Sequence, residues 1–128
     1  MSRRILWVDD VPENNEVPAQ VLKALQATVV QVLSTRQALV QLKVREFDAI
    51  VSDMGRREGP MEGYVLLEEV RRMGLTTPFF IFASGGSAPQ NVAMALERGA
   101  NGSTNRPTEL LEQLHSALYG VGNGKSAA

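Results

Sequence analysis

Short apolar runs alternate along this chain with segments of helical spacing, and that alternation leaves few folds open. Strand candidates lie at 4–8, 28–33, 49–52, 79–83 and, with a weaker pattern, 102–104, each short and mostly β-branched or apolar. Between them, Leu39 and Leu42, Leu66 with Leu67 and Val70, Val92 with Ala95 and Leu96, and Leu111 with Leu114 and Leu118 recur three and four residues apart. Each of these segments can bury one face of a helix. Parallel strands need crossover connections, so a regular strand-helix alternation predicts an α/β fold: a five-stranded parallel sheet with helices on both faces.

Local chemistry marks the boundaries. Ser34 or Thr35 can cap the second helix, Pro89 and Pro107 suit the first turns of the fourth and fifth, and Gly74 and Gly99 can close the third and fourth. Pro18 would remove a hydrogen bond from a first helix begun at Pro12, so regular helix is expected from near Val17, or with a kink there. Residues 120–128 have no periodicity and are expected to be a disordered tail after one domain at 1–119.

Composition narrows the class of partner. A chain of 128 residues fits one domain with one hydrophobic core. Its 13 Lys and Arg against 14 Asp and Glu leave a formal charge of −1, which gives no electrostatic footprint for direct binding of nucleic acid or an anionic membrane. There is no cysteine, so disulfides and thiolate metal sites are excluded. No apolar run approaches the roughly 20 residues that span a bilayer, and residues 1–4 lack a signal-peptide pattern; a cytoplasmic protein is expected.

The run "ILWVDD" at 5–10 sets a hydrophobic strand directly against two adjacent carboxylates. Like charges held together call for a cation or positive side chains nearby. In an open parallel sheet, ligands collect at the carboxyl ends of the strands, where strand order reverses. Asp9 and Asp10 follow the first strand, Asp53 the third, Ser84 the fourth, and Arg106 comes after the fifth, just before Pro107. Three carboxylates, a hydroxyl and a guanidinium make a candidate site for Mg²⁺ and a phosphoryl group, since Mg²⁺ prefers oxygen ligands and often bridges carboxylate to phosphate.

"VDD" at 8–10, "VSDM" at 51–54, "FAS" at 82–84, "GAN" at 99–101 and "RP" at 106–107 occur in an order that resembles the receiver domain of two-component response regulators, over about 5–118. The resemblance implies a flavodoxin-like (βα)5 architecture. It also implies that Asp9, Asp10, Asp53 and the backbone carbonyl of Gly55 hold Mg²⁺, that Asp53 is the phospho-accepting nucleophile, and that Ser84 and Arg106 contact the phosphoryl group. The implied partners are a histidine kinase or phosphotransfer protein and an unknown downstream protein. The activity would be a signalling switch in a phosphorelay, with self-phosphorylation and self-dephosphorylation at most and no enzymatic turnover beyond that. The chain departs from the family pattern in three places. Arg106 stands where the family has Lys, Ser103 where it has a strand-five aromatic, and the segment "DMGRREGPMEG" at 53–63 is longer than the family's.

Blander readings stand beside these. Asp9 and Asp10 can be a solvated strand end, Asp53 a turn-starting residue, Ser84 an ordinary loop serine and Arg106 a surface charge. Arg56 and Arg57 read as solvated loop charges, Trp7 and the "FFIF" run at 79–82 as core, and His115 as exposed. Competing functions are a degenerate receiver that binds proteins without phosphorylation, and a phosphohydrolase using Asp9. Phosphohydrolases, however, usually carry Asp-x-Asp where this chain has an adjacent pair. A flavin site fails because the acidic first loop, "DDVPENN", would repel a phosphate.

Overall fold

The computed structural model describes residues 3–11 and 23–120. Five strands form one sheet: β1 (Arg3–Val8), β2 (Ala27–Val32), β3 (Ala49–Ser52), β4 (Phe79–Phe82) and β5 (Gly102–Thr104). All pairings are parallel, in the order β2-β1-β3-β4-β5. Ile5 stands level with both Val29 and Ala49, so β1 lies between β2 and β3. The helices described in full are α1 (Thr35–Val44), α2 (Glu62–Arg72), α3 (Pro89–Glu97) and α4 (Pro107–Tyr119), and residues 23–25 are helical ahead of β2. The expected start near Val17, and all of the expected tail at 120–128 except Gly120, fall outside the described residues.

Successive strand residues point to opposite faces, so each central strand feeds two cores. Leu6, Val8, Ile50, Phe79 and Ile81 pack with Ala38 and Leu42 of α1, with Leu66, Leu67 and Val70 of α2, and with Ala95 of α3. Ile5, Trp7, Ala49, Val51 and Phe80 pack with Leu25 and with Leu110, Leu114 and Leu118 of α4 on the other face. This two-sided burial explains why β1 and β3 read as continuous apolar runs and do not alternate. Trp7 is 1% exposed and meets Phe82 edge-on, as its core reading expects.

The helix ends follow their local chemistry. Ser34 Oγ accepts from the Gln37 amide at 3.1 Å and caps α1, while Pro89 and Pro107 occupy first turns. Gly74 and Gly99 take φ of 85° and 106°, a left-handed geometry that favours glycine and lets the chain leave α2 and α3 sharply. No helix among the described residues is long and apolar enough to cross a membrane.

Candidate functional site

Strand order reverses between β1 and β3, and the acidic residues lie at that point. The Asp9 amide donates to the Val32 carbonyl at 3.0 Å and the Asp53 amide to Val8 at 3.1 Å, so sheet hydrogen bonds run up to the edge of the site. Ligand oxygens from Asp9, Asp10 and Asp53 all lie within 4.8 Å of one another. One oxygen of each carboxylate is already engaged. Asp9 Oδ1 accepts from the Val11 amide at 2.8 Å, Asp10 Oδ2 from the Arg57 amide at 2.8 Å, and Asp53 Oδ1 from Arg56 Nη1 at 2.5 Å. Among the described residues the second oxygen of each has no hydrogen-bond partner, and an all-oxygen set suits a hard divalent ion such as Mg²⁺.

Burial pushes the Asp53 carboxyl up to about 6, against Arg56, which lowers it; the charges of Asp9 and Asp10 add to the rise. Asp53 still opens onto a cleft of about 490 Å³ that it shares with Asp9, Gly55, Ser84 and Asn105. Ser84 is exposed on the far side of this cleft, and its carbonyl accepts from Asn105 Nδ2 at 3.2 Å.

Arg56 is not the solvated loop charge that the sequence suggested. Its side chain is fully buried. Arg56 and Gly59 exchange amide-carbonyl bonds of 2.9 Å across a tight hairpin, and the guanidinium reaches inward beneath Asp53. Nη1 donates to Asp53 and to Ser52 Oγ (3.0 Å), Nε to Glu58 Oε1 (3.1 Å), and Nη2 to Thr35 Oγ1 (2.6 Å) and the Glu62 carbonyl (3.3 Å). Thr35, the alternative cap residue, instead sends its hydroxyl to Glu62 Oε1 at 2.8 Å. The sequence signal was a longer loop bearing Arg directly after a strand-end carboxylate, but loop polarity alone gave no reason to turn Arg56 inward. Arg57 is exposed, as expected, and contributes its backbone amide.

Arg106 lies apart from this group. Its side chain is 67% exposed, pairs with Glu109 at 3.3 Å, and borders a different cavity, with Gln113 and Gly102. Asn105, which sequence reasoning passed over, takes the position on the cleft. Ser103 is buried, and its hydroxyl donates to the Gly86 carbonyl at 2.9 Å. The structure therefore brings Asp9, Asp10, Asp53, Gly55 and Ser84 to one edge and leaves Arg106 outside it.

The fold is shared widely. The chemotaxis response regulator CheY4 of Vibrio cholerae is 24% identical, with a TM-score of 0.76 over 92% of this chain and 100% of that one. A CheY-like receiver domain protein from Methanospirillum hungatei JF-1 is 23% identical, with a TM-score of 0.75 over 92% and 94%. The signal receiver domain of a signal transduction histidine kinase from Syntrophus aciditrophicus is 27% identical, with a TM-score of 0.73 over 94% and 92%. No match is found among curated proteins. The family model described as the response regulator receiver domain matches residues 5–119, which span the sheet and the acidic edge, and the chain belongs to that family.

Proposed function

We propose that this protein is a phospho-accepting receiver that takes a phosphoryl group onto Asp53 from a histidine kinase or phosphotransfer protein and thereby changes how a downstream protein recognises it. The observation that carries this reading is Asp53 itself, a carboxylate at the switch point, open to a cleft and grouped with Asp9 and Asp10. One carboxylate oxygen of Asp53 attacks the phosphorus of a phosphohistidine, while the other stays with the cationic groups of the site. The P–N bond breaks, its electron pair returns to the imidazole, and an acyl phosphate forms on Asp53. Such a transfer is helped mostly by positioning and charge neutralisation. Asp9, Asp10, Asp53 and the Gly55 carbonyl would hold Mg²⁺, which supplies positive charge against the transferring group. Ser84 is on the cleft wall, where its hydroxyl can donate to a phosphoryl oxygen. The protein acts as a switch, with self-dephosphorylation as its only turnover.

A second reading, an interaction module that works without phosphorylation, is favoured by one observation: Arg106 is engaged with Glu109 and borders a different cavity. Intact mass after incubation with a small phosphodonor and Mg²⁺ separates the two. One base-labile phosphoryl group, lost in Asp53→Asn, supports the receiver; no modification in the wild type supports the module.

A further inference from the structure

A guanidinium has five N–H donors in a fixed fork. In Arg56 all five have acceptors: Ser52, Asp53, Glu58, Thr35 and the Glu62 carbonyl. With no donor left over and no solvent contact, Arg56 gains any new partner only by giving up a present one. The shortest of its bonds falls on Asp53, the carboxylate that Asp9 and Asp10 crowd. A divalent cation approaching those three carboxylates therefore meets a fixed positive charge already bonded to one of them, and like charges weaken each other's binding.

We propose that Arg56 is a built-in counter-cation of Asp53 that competes with the divalent metal for this carboxylate and so sets the metal requirement of the site. The proposal rests on the phospho-accepting reading above and adds a positioning residue to it. In the metal-free state the guanidinium neutralises Asp53 and fixes its orientation from below. Formation of the acyl phosphate, a mixed anhydride, removes the charge from the acyl oxygens that Arg56 holds and places it on the phosphoryl oxygens, which weakens the pair from the Asp53 side.

Isothermal titration of Mg²⁺ into the wild type and Arg56→Met tests this, since Met keeps apolar bulk without charge. Mg²⁺ is expected to bind the variant about fivefold or more tightly, within the range of ordinary site-to-site coupling. Arg56→Lys, which keeps a charge without the fork, should fall between the two. A folded Arg56→Met with unchanged or weaker Mg²⁺ affinity overturns the competition. If circular dichroism shows that the variants do not fold, the wild type alone decides by the Nε–H resonance of Arg56. Arg71 serves as the control, because its guanidinium is held by the Gly99, Leu75 and Thr77 carbonyls away from the acidic cluster. A Mg²⁺-dependent shift at Arg56 exceeding that at Arg71 supports the proposal, and equal small shifts overturn it. If neither protein binds Mg²⁺ the competition is also overturned, while labelling of Asp53 with a phosphodonor would still leave the phospho-accepting reading in place.

Discussion

The two walls of the cleft are built differently. On the β1/β3 side, Asp53 and Arg56 form an ion pair with side-chain exposures of 15% and 0%, tied through Thr35 to the start of α1 and through Glu62 to α2. On the β4/β5 side the contacts join small neutral groups: the Ala83 amide to the Thr104 carbonyl at 3.2 Å, the Ser103 hydroxyl to the Gly86 carbonyl, the Asn105 side-chain amide to the Ser84 carbonyl, and the Ser87 hydroxyl to Asn105 Oδ1 at 2.7 Å. A Cβ on Gly86 would come within 2.4 Å of the Thr104 carbonyl oxygen, so that loop is pressed against β5 with no room for a larger side chain. One wall concentrates charge in an interlocked network. The other holds shape with small groups and presents hydroxyl and amide at its rim. Fixed charges beside a reacting carboxylate need little reorganisation when charge develops, so the β1/β3 wall should dominate the chemistry and the β4/β5 wall should modulate it.

The largest expected effect is at Asp53. Asp53→Asn should abolish phosphodonor labelling, read by intact mass; an unchanged modification, or one moved to Ser84, breaks the contrast between the walls. Next is Arg56→Ala, which strips a buried pair of one member and leaves Ser52 and Thr35 short of a donor. It should cost about 3 kcal/mol in urea denaturation, the lower end for such a loss because Asp53 can turn to water in the cleft. Asp10→Asn should weaken Mg²⁺ binding by about tenfold or more, as loss of a charge from a metal site does. The metal must also displace a proton once Asp53 is protonated. Because burial pushes the Asp53 carboxyl up to about 6, Mg²⁺ affinity should be level above that pH and fall by up to about tenfold per unit below it, and a fall that begins only near pH 4 would show either that Asp53 is not a ligand or that its carboxyl is not raised. Arg106→Ala removes only an exposed pair with Glu109 and should change stability by less than about 0.5 kcal/mol. A loss of labelling in that variant would bring Arg106 into the site and narrow the difference between the walls.

Much of this was legible in the residues because it depends on period and order. Strands such as 49–52 and 102–104 match their sequence bounds, and Asp9, Asp10, Asp53 and Ser84 reach one edge because every parallel strand ends there. What the sequence hid depends on the path of single loops. Arg56 faces inward because a two-residue bridge to Gly59 folds the loop back on itself, and hydrophobic periodicity carries no trace of such a bridge. Arg106 and Asn105 are adjacent, and which of them faces the cleft is a matter of one residue of alternation at the end of β5, where the side-chain period is two. The family pattern placed a cation at Arg106, whereas the cation in contact with Asp53 comes from the loop that is longer than the family's.

The smallest effect is a difference between two sets of amide shifts, and it decides which wall reports the state of Asp53. A modified Asp53 can move only groups whose contacts differ between the two states. Arg56 bonds Asp53 directly, and the Gly63 amide donates to the Met54 carbonyl at 2.8 Å, so both ends of the 55–62 loop are anchored beside the reacting residue. Across the cleft, Ser103 has no ring to move, and its hydroxyl is already committed to Gly86. Adding beryllofluoride and Mg²⁺ as a phosphoryl mimic should therefore shift amides in 55–62 more than those in 91–104. The same mimic in Arg56→Met should lose most of the 55–62 response if the guanidinium transmits it, and retain it if the loop responds to the metal through Gly55. Larger shifts across 91–104 than across 55–62 would mean that Ser84 moves enough on its own to pull the β4/β5 wall, and the signal would then leave the site through the side built of small groups.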